Sequence, residues 1–522
     1  IGIVGGIVLA TGLKALFTAI GVDLPGLAPV VAPRTIVVSL AVGLTITVVS
    51  AVVPAWRAGR VPPMAALRDV AFERTAASLV RVIIGIVVAA AAVAALVRGA
   101  SGSAGLALLG TLLLFAAVIV LGPVLAPLVS RTLGAPLPRL FGVPGQIARD
   151  NTIRNPKRSA ATASALTLSV AIVTLLSVFF FSFGATINRA TDDFLLADAE
   201  VSAGGFAGPA LGPELVTDIK ELPEVDAASG VQFGSIQLDG AVTSTIGLSL
   251  ADTTRLWDLG DTEGSIAELG ADEVGVQTEK AETEGWKIGD VLPVVYPDGS
   301  SGTLRVGALY ESAGIIAQDS GGNLIVSSQV FVEHFPATSQ FLSRITVKGG
   351  DNISTASLER SLEKVTESFP TAAVKNKDEI KKEQNNQILL GLALVLVLLM
   401  LAVVIGGLGI ANTLALSVFE RTREIGLVRA VGATRRQVAT SITIESILLT
   451  LFGTVMGLLI GTAGGVALIR NLAGEIPTAT VSIPWFFVVL VVVISLVIGV
   501  GASVIPAWRS ARMNVLDAVT VD

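Results

Sequence analysis

The chain has 522 residues, of which 52% are hydrophobic and 15% charged, with a mean hydropathy of +0.75; this is the balance of a polytopic membrane protein, not of a soluble globular one. It contains no cysteine, which excludes disulfides, thiolate metal sites and cysteine nucleophiles. The net charge of −6 conceals an asymmetry, because residues 185–386 hold 32 acidic and 14 basic side chains while the remainder holds 10 acidic and 22 basic.

Taken in order, Ile1–Ile20 is apolar apart from Lys14 and opens without a signal peptide, so it reads as the start of a fragment whose N-terminal part is absent. A short Pro/Gly loop with Asp23 and Arg34 leads to a second apolar run, Thr35–Val53. Arg57, Arg60, Arg68, Arg74 and Arg81 mark a cytoplasmic loop by the positive-inside rule. Val82–Val97 and Leu106–Leu128 form a tight pair of spans, and Arg81 and Arg98 flank the shorter one, where they can snorkel to the interfaces. Arg131, Arg139, Arg149, Arg154, Lys157 and Arg158 place residues 129–158 on the cytoplasmic side again. Ser159–Thr186 then crosses outward, and the acidic domain follows outside.

That domain has a mixed pattern. Val231–Leu250 and Thr303–Leu309 read like strands, and Pro213–Leu222 and Thr355–Glu367 as amphipathic helices. Trp286–Asp290, the run Val291–Val295 and the Asp298-Gly299 turn suggest a small barrel-like or hairpin module. Its single histidine, His334, has no second histidine or cysteine to pair with and reads as structural. No catalytic or metal-binding residues are assigned, and so acidic a surface would repel phosphates, so no nucleic-acid partner is expected. Lys375–Gln387 reads as a charged stalk leading back to the membrane, either a straight helix or a flexible linker.

Gln387–Leu414 crosses inward, Val438–Leu468 outward and Pro484–Ile505 inward, for about eight spans in all. Between the first two of these lies an abruptly charged bridge, Glu420–Arg436, with five arginines. Gln384–Phe419 before it and Ser446–Ile469 after it carry no charge. Alternating Arg and Glu on a short helix suit rim contacts and orientation, while Ile425, Val428 and Val431 supply apolar contact. The bland alternative is a solvated positive-inside loop. Gly453, Gly457, Gly461 and Gly465 recur every fourth residue in the next span, a smooth ridge for close helix packing or for sliding. Two polar residues sit at membrane depth, Asn412 and Glu445. Glu445 is shallow, so an interfacial salt bridge to a nearby arginine is as good a reading as a role in coupling.

An internal repeat ties the two ends together. Val53-Pro54-Ala55-Trp56-Arg57-Ala58-Gly59-Arg60 reappears as Ile505-Pro506-Ala507-Trp508-Arg509-Ser510-Ala511-Arg512, and the same ungapped register places Gly5 on Gly457 and Leu24-Pro25 on Ile476-Pro477. Both copies end on the cytoplasmic side, so the repeat is parallel about an axis along the membrane normal. Met513-Asn514-Val515-Leu516 stands where the first copy has Val61-Pro62-Pro63-Met64.

The pattern Asn412…Glu420-Arg421-x-Arg423-Glu424-Ile425-Gly426-x-x-Arg429-Ala430-x-Gly432-Ala433, with Glu445 in the next span, resembles the signature of FtsX/MacB-type ABC permeases. The resemblance covers Arg149–Asp522 as one full core and Ile1–Val70 as the tail of a preceding one. It implies a polytopic α-helical membrane protein of the bacterial cell membrane with an inserted α+β extracytoplasmic domain. The divisions are 1–70 (tail of the first core), 71–148 (linking helix pair and loop), 149–186 (first helix of the second core), 187–386 (extracytoplasmic domain) and 387–522 (three helices with the bridge). The implied partner is a cytoplasmic ABC ATPase, as a dimer, docking on Glu420, Arg421, Arg423, Glu424, Gly426, Arg429, Gly432 and Ala433. ATP and Mg would sit on that partner, since this chain has no G-x-x-x-x-G-K-[ST] loop. The expected role is a non-catalytic permease subunit exporting or extracting a lipophilic or peptide-like cargo. The alternative is an FtsX-like signalling scaffold that activates an extracytoplasmic partner such as a cell-wall hydrolase. An ATP-independent transporter would call for mid-span coupling carboxylates, and the sequence offers none beyond the shallow Glu445.

Overall fold

A computed structural model describes residues 2–19, 32–58, 79–203, 211–311, 323–336, 340–369, 372–472 and 479–512. Ile1, Ile20, Asp23, Leu24-Pro25, Arg60, Val61–Met64, Arg68, Arg74, Ile476-Pro477 and Met513–Leu516 lie outside the described residues.

The chain begins with α1 (Gly2–Ala19) and α2 (Pro33–Ala58), then α3 (Leu79–Ala100) and α4 (Ala104–Leu133). The Ser103 hydroxyl caps α4 by accepting from the Leu106 amide. Gly110 of α4 sits so close to α3 that an added Cβ would lie 2.7 Å from the Leu96 amide nitrogen, which explains how so short a loop can be followed by full-length contact. Two short helices follow, α5 (Leu137–Phe141) and α6 (Val143–Arg154), where the sequence suggested only a loop. Pro144 enters α6 in its first turn, where a missing N–H costs nothing. Then α7 (Pro156–Phe194) runs for 39 residues, about 58 Å at 1.5 Å per residue.

The extracytoplasmic part comprises β1 (Ala199–Ala203), α8 (Glu214–Lys220), β2 (Val225–Leu238), β3 (Ala241–Leu248), α9 (Leu250–Leu256), β4 (Thr262–Gly264) and β5 (Glu273–Gln277). It continues with α10 (Thr278–Glu284), β6 (Val291–Val295), β7 (Ser301–Tyr310), β8 (Leu324–Ser327), α11 (Ser328–His334), β9 (Arg344–Gly349), α12 (Thr355–Thr366) and β10 (Ala372–Asn376). Val231–Leu250 is therefore a hairpin and not one strand. It turns at Asp239-Gly240, both at positive φ, as a two-residue Asp-Gly loop requires.

Two lobes share one sheet. In the first, β10, β1, β9 and the first half of β2 form an antiparallel layer. Helices α8 and α12 cover it through Leu215, Ile219, Leu358 and Leu362. In the second, β2 pairs β3, β3 pairs β8, β8 pairs β5, β5 pairs β7, β7 pairs β6, and β6 returns to β2 at Leu238↔Val294. These six strands close a ring, the barrel-like module suggested by the hairpin signals. Leu238, Val276, Val294, Leu304, Val306 and Val326 fill it. His334 stacks on Tyr296 with centroids 3.9 Å apart and meets Ser300 Oγ at 3.1 Å, so it fastens α11 to the β6–β7 turn.

From Asn376 the chain re-enters helix. A capping box, in which Asn376 Oδ1 accepts from the Glu379 amide and the Glu379 carboxylate accepts from the Asn376 amide, starts α13 (Lys377–Glu420). The stalk is the first part of this unbroken 44-residue helix, about 66 Å long. It is zipped to the outer end of α7. Asn188 Nδ2 donates to Asn385 Oδ1 at 3.0 Å, Thr191 Oγ1 donates to Gln384 Oε1 at 3.2 Å, Lys377 donates to the Leu195 carbonyl at 2.8 Å, and Lys381 pairs with Asp192. After the bridge come α14 (Thr422–Ala430), α15 (Arg435–Leu472) and α16 (Trp485–Arg512).

Among the described residues six helices are long and apolar enough to cross a membrane: α2, α3, α4, α7, α15 and α16. Val404–Glu420 of α13 is a shorter apolar stretch. The core of the bundle is Leu166, Val170 and Val173 of α7, Ile410 and Leu414 of α13, Leu449 of α15, and Phe487, Val491 and Ile498 of α16. Here α15 lies directly on α7. A Cβ on Gly457 would stand 2.6 Å from Val170 Cβ, one on Gly461 2.4 Å from the Ala171 carbonyl, and one on Gly465 2.8 Å from Val178 Cβ; at Gly453 the nearest atom is the Ala163 carbonyl at 3.0 Å. Ser446 adds a hydroxyl bond across to the Gly499 carbonyl at 2.6 Å.

Candidate functional site

The bridge owes its shape to two adjoining caps. Helix α14 ends in a Schellman arrangement: the Gly432 amide donates to the Arg429 carbonyl at 3.1 Å and the Ala433 amide to the Val428 carbonyl at 3.2 Å. Gly432 takes the position that needs positive φ, at +111°. The next residue, Thr434, caps α15: its Oγ1 accepts from the Gln437 amide at 3.2 Å, while Gln437 Oε1 accepts from the Thr434 amide at 2.8 Å. Gly432 and Ala433 thus have a backbone reason to be there. Ala433 is also half-buried with Ile425, Val418, Val438, Ile442 and Ala507, a small apolar seat under the bridge.

The charged residues separate into two groups. Glu445 is buried, with 8% of its side chain exposed, and lies between two guanidinium groups. Its Oε1 is 3.9 Å from Arg158 and its Oε2 3.6 Å from Arg421, and Asn151 Nδ2 donates to it at 3.4 Å. Arg158 also reaches Glu420 at 3.4 Å, and Arg421 reaches Glu424 at 2.9 Å. The result is an alternating chain, Glu420–Arg158–Glu445–Arg421–Glu424, that passes through α13, α7, α15 and α14. Such alternation offsets part of the cost of withdrawing a carboxylate from water. Gly426 is buried on the same inner side.

Facing away are Arg423, Leu427, Ala430 and Val431, all exposed, with Leu427 at 51% and Val431 at 89%. Arg429 is half-buried. Asn412 lies on an exposed stripe of α13 with Leu408 and Leu416, away from this network. Of the sequence-derived bridge residues, the structure therefore brings Glu420, Arg421 and Glu424 together with Glu445, and leaves Arg423 outward. Sequence reading missed Arg158 and Asn151 as members. Arg158 had been counted only as a positive-inside charge, and no signal within the motif points across the 287 positions that separate it from Glu445.

Beside the network a groove of about 560 Å³ opens between α6 and the bridge. Val143, Pro144, Ile147, Val418, Ile425 and Val428 form its apolar walls, and Arg421, Glu424 and Glu445 its charged floor.

Parts of the chain are similar to known proteins. Residues 396–515 match the FtsX-like permease C-terminal family model. An uncharacterized ABC transporter permease, YknZ of Bacillus subtilis, is 40% identical over 119 residues, which are 23% of this chain and 29% of that protein. The macrolide export ATP-binding/permease protein MacB of Sodalis glossinidius is 33% identical over 186 residues, 35% of this chain and 28% of that one. The chain thus matches less than a third of the length of either relative. Among solved structures, the periplasmic region of MacB from Actinobacillus actinomycetemcomitans aligns with 36% of this chain and 93% of its own, at 15% identity and a TM-score of 0.29.

Proposed function

We propose that this chain, which matches the FtsX-like permease C-terminal model over residues 396–515 and resembles parts of YknZ and MacB, works as an ABC permease of that type: a separate cytoplasmic ABC ATPase docks on its bridge and drives movement of the extracytoplasmic domain. The work done is export or extraction of a lipophilic or peptide-like cargo. One observation carries the reading: the arginine-rich turn between α13 and α15 is a capped helix that presents Leu427 and Val431 to solvent beside Arg423. A turn kept only for topology has no use for exposed aliphatic side chains there, whereas a docking surface needs an apolar centre within a charged rim. The unbroken helices α7 and α13 then lead from the level of the bridge to the base of the sheet.

The test is affinity purification of the full-length protein from membranes, with ATP hydrolysis assayed in the eluate. An ATPase present in stoichiometric amount, and lost on Val431→Asp, is the expected result. No ATPase with the unmodified chain under mild detergent overturns the reading.

A further inference from the structure

The motif that marks the bridge looks from sequence like one docking surface, but its side chains point in two directions. The inward set is Arg421, 20% exposed against the buried Glu445, with Glu420 and Glu424 paired to the arginines at its exposed ends (54% and 68%), while Arg423, Leu427 and Val431 turn outward. We propose that the inward set is a tie and not a docking surface: Glu445 is a positioning residue that fastens the bridge to α7 and α15, so that displacement of α14 is passed to the helices that carry the extracytoplasmic domain. The proposal rests on the docking reading above and deepens it.

The geometry supports a tie in three ways. First, the chain of charges joins four helices through contacts of 3.4, 3.9, 3.6 and 2.9 Å, and Glu445 is the only member that touches both arginines. Second, α14 has no broad packing underneath it on the α6 side, because the groove of about 560 Å³ lies there. The bridge is therefore held at its caps, at the small apolar seat and at Glu445. Third, Arg158 lies in the first turn of α7, whose other end is zipped to the stalk at Asn188, Thr191 and Asp192. A pull on Arg158 acts along the axis of that 39-residue helix.

The arrangement also supplies an unusually mild disruption. Glu445→Gln removes the central charge but leaves Arg158 paired with Glu420 and Arg421 paired with Glu424, and the new amide oxygen can still accept from Asn151. No guanidinium is stranded, so the variant folds. The chain lacks cysteine, so single cysteines at the exposed positions Val242 in the ring and Arg435 at the start of α15 accept a pair of spin labels cleanly.

In the purified complex with its ATPase, the distance distribution between those labels is recorded with and without ATP. For Glu445→Gln the expected result is unchanged recovery of ATPase with the nucleotide-dependent shift in distance reduced at least threefold. For Val431→Asp, ATPase recovery itself is lost. A full-sized shift in Glu445→Gln overturns the tie and leaves the docking reading standing. Loss of ATPase recovery in Glu445→Gln overturns the division into inward and outward sets. Absence of ATPase from the unmodified protein overturns both readings together.

Discussion

The seam between α7 and α15 permits a quantitative test at Gly461. A Cβ there would stand 2.4 Å from the Ala171 carbonyl oxygen, 2.6 Å from Thr174 Cβ and 2.9 Å from the Leu175 amide nitrogen. All three neighbours belong to one helix and two are backbone atoms, so no side-chain rotation relieves them. Restoring ordinary contact at 3.4 Å requires the helices to part by about 1 Å locally, and overpacking of this kind costs about 1–3 kcal/mol. Opposing it, Gly→Ala in a helix interior gains about 1 kcal/mol of intrinsic propensity. Gly501 in α16 isolates the second contribution, because a Cβ there meets nothing within 4 Å. Gly501→Ala is thus expected to be neutral or stabilising by up to about 1 kcal/mol, and Gly461→Ala to lie about 1–3 kcal/mol below it. Reversible unfolding in mixed detergent micelles, followed by helical ellipticity, measures both. If the two variants unfold together, α15 does not lie against α7 as closely as the structure has it.

Two further outcomes are expected outside the bundle. Cysteines replacing Asn188 and Asn385, whose side chains meet at 3.0 Å, should be joined nearly completely by a short bismaleimide, and those replacing Asn188 and Glu379, six residues or about 9 Å further along the helix, should not; a flexible stalk would join both. Asp298 accepts from the hydroxyl and amide of Ser300, with His334 adding a weaker contribution, and these hold its carboxyl below the ordinary 3.8. Because the folded value is the depressed one, the turn's contribution to stability is present above 3.8 and is lost as pH falls through the folded value. Carboxyl resonances of aspartate-labelled protein, compared with Asp298→Asn, should therefore show this group titrating below 3.8; titration at or above 3.8 would refute the fixed turn.

Much of the membrane part was legible because hydrocarbon leaves a chain few choices. Long apolar runs bounded by arginines locate α3, α4, α7, α15 and α16 with little ambiguity. Capping chemistry is equally local, in Thr434-x-x-Gln437 and at Gly432, although the sequence reading took Gly432 for a docking residue and not for a cap. Side-chain direction on the bridge could not be read this way. Arg421 and Arg423 are two residues apart on a helix, so they point to different sides, but only the arrival of Glu445 and Arg158 decides which side is inside. Ring closure was hidden for a similar reason. The Asp239-Gly240 turn announces a hairpin, but the pairing Leu238↔Val294 that shuts the barrel spans more than 50 residues and has no local signal. Helix α6 was missed because a short amphipathic segment with Arg149 and Arg154 looks like any basic loop.

The shared strand β2 has a mechanical consequence. Its 14 residues run through both lobes, paired with β9 in the first half and with β3 and β6 in the second. A hinge between the lobes would have to tear hydrogen bonds from one ladder or the other, and the closed ring offers no free edge along which to slide. The strand acts as a splint. Under the coupling proposed above, the extracytoplasmic domain would move as a single rigid lever on the base formed by α7 and α13, so that a small displacement at their ends gives a larger arc at the far wall of the ring.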